Sequence, residues 1–217
     1  MKGSRLLVQY RWLIFWILAT QYLVVYFHRV SPAVLAPELI TAFQMSGTNL
    51  GLLASAYFYP YGIMQVPVGI LSDSWGSRKT ITIFGLLAAL GAILFGLSPW
   101  FGFALTSRVL VGLGVSAIFI PTMRIFSVWF KPIEYARISG AFMAIGGLGW
   151  LTATIPLAFL TELFGWRISV ILPGLATIVL SGLTWFVVAD NPAQKGFSSV
   201  TIGMSATEEN HNLSSNL

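Results

Sequence analysis

The run Ile81-Thr-Ile-Phe-Gly85-Leu-Leu-Ala-Ala-Leu-Gly91-Ala-Ile-Leu-Phe-Gly-Leu97 decides the fold class. It carries no charge and no proline, and apolar and polar residues do not alternate along it. A strand of a transmembrane barrel would alternate over about ten residues. In hydrocarbon the backbone must satisfy its own hydrogen bonds, and a helix is the remaining way to do so.

Crossing a bilayer core about 30 Å thick takes roughly 20 apolar residues. Working outward from this run, six segments meet that measure, at about 12–36, 48–71, 79–98, 101–129, 136–160 and 166–189. The chain has 217 residues, of which 56% are hydrophobic and 9% charged, and its mean hydropathy is +0.81. Soluble domains are about 25% charged, so a water-soluble globule and a disordered chain are both excluded. The expected fold class is an all-α membrane protein with six transmembrane helices in one bundle. Cysteine is absent, which rules out disulfides and thiolate metal sites but says nothing about compartment.

The formal net charge is +5 and the pI about 9.7. Such values can indicate nucleic acid, but the distribution of charge favours membrane topology. With six spans, Lys2, Arg5, Arg11, Arg78, Lys79, Lys131, Arg137 and Lys195 fall on one side and Arg167 on the other. Basic loops stay in the cytoplasm. Residues 1–11 are therefore expected as a cytoplasmic N-terminus and 12–190 as the bundle. Residues 191–217 are expected as a polar cytoplasmic tail or a truncated central loop, with the protein in the plasma membrane of the cell and no nucleic-acid partner. The first apolar stretch is too long for a signal peptide and ends at no small-residue cleavage site.

Small residues recur four apart: Ala88, Ala92 and Gly96 in the third segment, Gly112 and Ser116 in the fourth, Gly140 and Ala144 with Gly147 in the fifth. Such rows let helices approach closely in lipid. Prolines in or near the spans, among them Pro32, Pro60, Pro121, Pro156 and Pro173, predict kinks.

Charges inside a membrane are expensive and mark function. Arg29 lies in the second half of the first segment, with no acid at its depth in this chain. A guanidinium holds carboxylate or phosphate through two parallel hydrogen bonds, so Arg29 is the leading anion ligand. The alternative is a structural arginine bonded to carbonyls. His28 is suited to proton coupling or to helix packing, and neighbours on a helix do not share a face. Arg108 either serves function or reaches the outer interface. Arg124 is expected to snorkel or to pair with a loop acid. Tyr22, Tyr57, Tyr61, Gln65 and Trp150 are candidate pocket residues.

Between the second and third segments runs Gly69-Ile-Leu-Ser-Asp73-Ser-Trp-Gly76-Ser-Arg78-Lys79. Asp73 can cap the next helix or face a basic partner. Arg78 is expected to pair with Glu134 across the cytoplasmic side, as a latch that differs between two conformations.

These residues carry a resemblance. Gly69 to Lys79 resembles the loop motif of the major facilitator superfamily, Gly-x-x-x-Asp-x-x-Gly-x-Arg-Lys. Arg108-Val-Leu-Val-Gly112-Leu-Gly114 is similar to that superfamily's fourth-helix motif. Tyr26-Phe-His-Arg29 resembles the Tyr-x-x-Arg of its anion:cation symporter and organophosphate antiporter branches. Pro121-Thr-Met-Arg124 and Asn191-Pro-Ala-Gln-Lys-Gly196 are similar to the same branches. The resemblance implies the N-terminal six-helix half of a twelve-helix secondary transporter, moving a small organic anion or zwitterion between two bundles by alternating access. Arg29 is then the substrate-anion ligand, and a second six-helix bundle, either a C-terminal half or a second copy, is the partner.

Four departures qualify what the resemblance implies. Gln65 stands where the organophosphate antiporters have lysine, His28 where sugar-acid symporters have aspartate, and Val115 where those symporters have glutamate. Leu148 follows Gly146-Gly147 where drug antiporters have a Gly-Pro pair. Proton coupling then runs through His28, through the other half, or not at all. No cofactor or metal is expected, because the two histidines are far apart and no nucleotide loop is present. A serine protease built on Ser116 lacks a histidine on a late span, so an enzyme is not expected. The alternative to a transporter half is a truncated, non-transporting membrane fragment or a regulatory half-subunit.

Overall fold

A computed structural model describes residues 2–197, with side chains from Arg5 onward. The chain is all-helical over this range: α1 (Lys2–Val34), α2 (Ala36–Phe43), α3 (Gly47–Ile63), α4 (Gln65–Ser74), α5 (Ser77–Gly96), α6 (Phe101–Trp129), α7 (Pro132–Val187) and a short 3-10 turn, Pro192–Lys195. Four of these helices, α1, α5, α6 and α7, are long and apolar enough to cross a membrane. The protein is an all-α membrane protein.

The expected segments map onto these helices with two differences. The second is divided at Met64 into α3 and α4, with Pro60 in the last turn of α3 and Pro67 in the first turn of α4. Each proline lacks the N–H that would continue the ladder. The fifth and sixth run on as the 56-residue α7, whose regular dihedrals break at Gly165 (φ 80°, ψ 159°). A straight helix of that length would extend about 84 Å. Instead its two ends meet adjacent residues of α1: Glu134 bonds Arg11, and the Val187 carbonyl accepts from the Tyr10 hydroxyl. The chain therefore doubles back at Gly165, where glycine tolerates the positive φ. The polar tail expected beyond about residue 193 lies, from residue 198 on, outside the described residues.

Close helix contacts rest on small residues. A Cβ on Gly91 would stand 2.7 Å from the Val111 nitrogen, and one on Gly114 would collide with the Ala88 backbone, so α5 and α6 touch nearly backbone to backbone. The row expected in the fifth segment is displaced. Gly140 and Gly147 meet nothing, whereas Gly146 and Gly149 pack against Tyr22 and Leu23 of α1. The helix is turned so that a different stripe faces inward.

Buried polar groups stitch α1 to the second arm of α7. Gln21 donates to the Ser181 hydroxyl at 3.4 Å and accepts from Thr184 at 3.0 Å. One more step along, His28 Nε2 meets Thr177 Oγ1 at 2.9 Å. Side-chain bonds of this kind hold helices together where water offers no competing partner.

Candidate functional site

Arg29 projects from α1 into a cage of rings. Its Cζ lies 5.2–5.8 Å from the ring centroids of Tyr26, Tyr57, Phe58 and Tyr61. Tyr57 and Tyr61, one turn apart on α3, present nearly parallel rings, 8° from coplanar. Arene faces stabilise a cation without neutralising it. Among the described residues the guanidinium's one hydrogen bond runs from Nε to the Tyr57 hydroxyl, at 3.4 Å, and no carboxylate pairs with it. It is half-buried and borders a cavity of about 450 Å³, shared with Pro32, Ala54, Phe58, Trp150 and Thr154. A charge beside apolar walls is poorly screened, so it attracts an anion more strongly than a solvated arginine would. The fork geometry suits a carboxylate, sulfonate or phosphate.

The other predicted pocket residues divide. Tyr57 is fully buried and therefore orients Arg29 instead of lining the cavity. Tyr61 contributes its ring to the cage, and Gln65 donates to the Tyr61 carbonyl at 3.1 Å. Tyr22 stacks on Phe142 and shares a 3.2 Å hydrogen bond with Tyr26. Tyr26 and Phe58, absent from the expected pocket set, complete the cage. Tyr26 lies three residues before Arg29, hence on the same face, a spacing legible in the sequence.

His28 is placed as the helix-packing alternative has it, away from the substrate-side position. It is 4% exposed, turned by roughly 100° from Arg29 around α1, and held against Thr177. It does not reach the cavity. Arg108, at 1% exposure, does not reach the outer interface. Its Nη1 donates to the His28 carbonyl at 2.6 Å and to Ser31 Oγ at 3.4 Å. Pro32 explains the first bond. Lacking an N–H, it leaves the carbonyl four residues earlier, that of His28, without its helical partner. Arg108 fills the gap with Nη1, while its Nε and Nη2 are buried without a hydrogen-bond partner among the described residues. Gly112, one turn on, lets α6 press against the Tyr57 carbonyl.

At the basic end the loop residues pair differently from expectation. Asp73 binds Arg124 at 2.5 Å, and the same nitrogen reaches the Ser72 carbonyl. The Arg78–Glu134 pair does not form. Glu134 is held instead by Arg11 through two bonds of 2.8 and 3.1 Å, and the Arg78 guanidinium lies over Trp185. Burial would raise the Glu134 carboxyl, but the Lys131 backbone N–H and the Arg11 guanidinium outweigh it and hold it below the usual carboxylate range. Capping of α5 falls to Asp190, which accepts the Arg78 backbone N–H at 2.7 Å. Gly76 turns there at φ 92°, and a Cβ would meet the Asp190 carboxylate. Gly69 meets no neighbour and Lys79 is exposed.

The sequence model of the Major Facilitator Superfamily matches residues 18–207. A Bacillus subtilis (strain 168) protein named "Uncharacterized transporter YybO" is 30% identical over 179 residues, 81% of this chain and 40% of that protein. The "Probable sulfoacetate transporter SauU" of Cupriavidus necator is 25% identical over 185 residues, 85% of this chain and 43% of that one. The chain thus spans less than half the length of these relatives. In fold it is similar to a bacterial homologue of the human lysosomal transporter Spinster, crystallised inward-facing and unoccupied. The TM-score is 0.76 at 20% identity, over 84% of this chain and 44% of that one.

Proposed function

The chain belongs to the Major Facilitator Superfamily, and from that premise we propose that it is the N-terminal six-helix half of a secondary transporter for a small organic anion or zwitterion. The six crossings are α1, α3 with α4, α5, α6 and the two arms of α7. The observation that carries the reading is Arg29: a cationic fork, unpaired by any described acid, at the edge of a cavity inside an apolar bundle. A sulfonate-carrying name among the relatives fits the same anion chemistry.

Alternating access needs a second bundle to close the cavity. The exposed stripe of α3 and α4, with Tyr59, Ile63, Val66 and Ile70, and that of the first arm of α7, with Leu151 and Ile155, are its docking faces. Gly62 and Gly69 on the first and Gly140 and Gly147 on the second meet nothing within this chain, which leaves room for close approach. The Asp73–Arg124 pair, beside a cavity of about 320 Å³, is the conformational latch on that side. His28 is sequestered, so proton coupling is assigned to the partner bundle. The charge asymmetry of the loops assigns the basic end to the cytoplasm, and the membrane we assign is the plasma membrane.

The test is binding of a short carboxylate or sulfonate, sulfoacetate as the first probe, to the protein in lipid nanodiscs, followed by uptake into proteoliposomes in which a second six-helix bundle is also present. Arg29→Lys is expected to abolish uptake and weaken binding while the helical content is unchanged. Uptake indifferent to the substitution would remove Arg29 from the substrate path.

A further inference from the structure

At the basic end of the bundle, far from the Arg29 cage, a further cavity opens beside α1. It measures about 160 Å³ and is lined by Arg11, Trp12, Phe130, Glu134, Arg137 and Ile138. We propose that it binds the phosphate of an anionic phospholipid headgroup.

The charge inventory points that way. Two guanidiniums face one carboxylate. That carboxylate is already occupied, taking both terminal nitrogens of Arg11 and the Lys131 backbone N–H at 3.0 Å. Arg11 Nε is buried with no partner, and the exposed Arg137 forms no ion pair among the described residues. With the Lys131 ammonium also acting on Glu134, the cluster carries an excess of positive charge that suits a phosphodiester anion. The Arg11 guanidinium cannot swing away to water, because it is held over the Phe130 ring at 5.1 Å as well as by Glu134. A held guanidinium beside an exposed one offers a phosphate two donors.

The surroundings select a lipid over a soluble anion. Trp12, Leu13 and Trp16 are 39%, 47% and 57% exposed, forming a continuous apolar and aromatic strip that descends from the cavity along α1. Tryptophans at this level belong to the headgroup boundary. The cavity holds about the volume of five waters, room for a phosphodiester but not for a whole lipid. Acyl chains would continue along the Leu13–Trp16 strip. Inorganic phosphate makes no use of that strip.

The experiment measures quenching of tryptophan emission by brominated acyl chains in nanodiscs of the 217-residue chain, the Trp12 signal being isolated by difference from Trp12→Phe. Brominated phosphatidylglycerol in a phosphatidylcholine background is expected to quench Trp12 at a mole fraction about five-fold lower than brominated phosphatidylcholine does. Arg137→Gln should erase the preference, and Arg137→Lys should keep part of it. Because Arg137 is exposed and holds no other group, these variants should fold, and native mass spectrometry of retained anionic lipid gives an independent reading. Equal quenching by the two lipids, or a preference unchanged in Arg137→Gln, overturns the proposal. So does displacement of the lipid by millimolar inorganic phosphate, which would identify a soluble-anion site.

Discussion

Arg29 and Arg108 approach the same ring, that of Tyr57, at 5.8 and 4.9 Å from its centroid. Arg108 is sealed. It donates to a carbonyl that Pro32 has released and to a serine hydroxyl, with the rings of Tyr57 and Phe95 beside it. Arg29 is half-open, with one long bond to a phenol and aromatic walls in place of acceptors. Two charges of equal expense in lipid are thus settled by different means. One is enclosed within the bundle, with Nη1 bonded to backbone and serine oxygens and with Nε and Nη2 buried without a partner among the described residues. The other opens on a cavity, where the proposed substrate anion would supply its acceptors.

Several substitutions sharpen or break this contrast. The largest effect belongs to Arg108→Ala, which removes the shorter donor from the His28 carbonyl and opens a cavity. Thermal or denaturant unfolding in micelles should show a loss on the order of 3 kcal/mol. Adding Pro32→Ala, which restores the missing N–H, should return about 1 kcal/mol of it. A double variant no better than Arg108→Ala would break the link between proline and arginine.

Next is Arg29→Lys. Anion affinity should fall about tenfold or more, since an ammonium cannot reproduce the fork, while the unfolding midpoint stays near that of the parent. Tyr57→Phe should act more mildly on the same readout. Losing the hydroxyl that orients Nε is expected to weaken binding about three- to five-fold, the equivalent of one modest hydrogen bond. A Tyr57→Phe loss equal to that of Arg29→Lys would mean the phenol itself holds the anion.

The smallest effect lies at the basic end. Glu134 sits below the usual carboxylate range when folded, so its pairing with Arg11 stabilises fully above the unfolded value of about 4.3 and is lost as pH falls through the folded one. With side chains 14% and 33% exposed, the gain should be no more than about 1 kcal/mol. The stability difference between parent and Glu134→Gln should be constant near neutral pH and vanish in acid. A difference that grew in acid would contradict the pairing.

Much of the fold was legible in the sequence, because a run such as Ile81–Leu97 admits only a helix in lipid. The unusual position of Arg29 was equally legible, since charge and depth are read along the chain. What could not be read was rotation. Whether Gly140 and Gly147 or Gly146 and Gly149 face α1 depends on the phase of α7, which weak amphipathicity in an apolar helix does not fix. The same uncertainty hid the turn of His28 toward Thr177. Partner choice among loop charges failed for a related reason. Arg11, Arg78 and Arg124 are all basic residues of the same end, and only the packing of the start of α7 beside α1 brings Arg11 to Glu134. The bond from Arg108 to the His28 carbonyl was in principle foreseeable, since Pro32 announces a free carbonyl four residues before it.

The contrast between the two arginines can be read directly by thiol accessibility, because the chain contains no cysteine to compete. Arg29→Cys and Arg108→Cys would be treated in nanodiscs with a charged, membrane-impermeant methanethiosulfonate, with Ser116→Cys as a buried control. The account predicts rapid modification at position 29, slowed by a saturating organic anion, and none at positions 108 and 116. An unreactive position 29, or one whose rate ignores every anion tried, would contradict a solute-facing guanidinium.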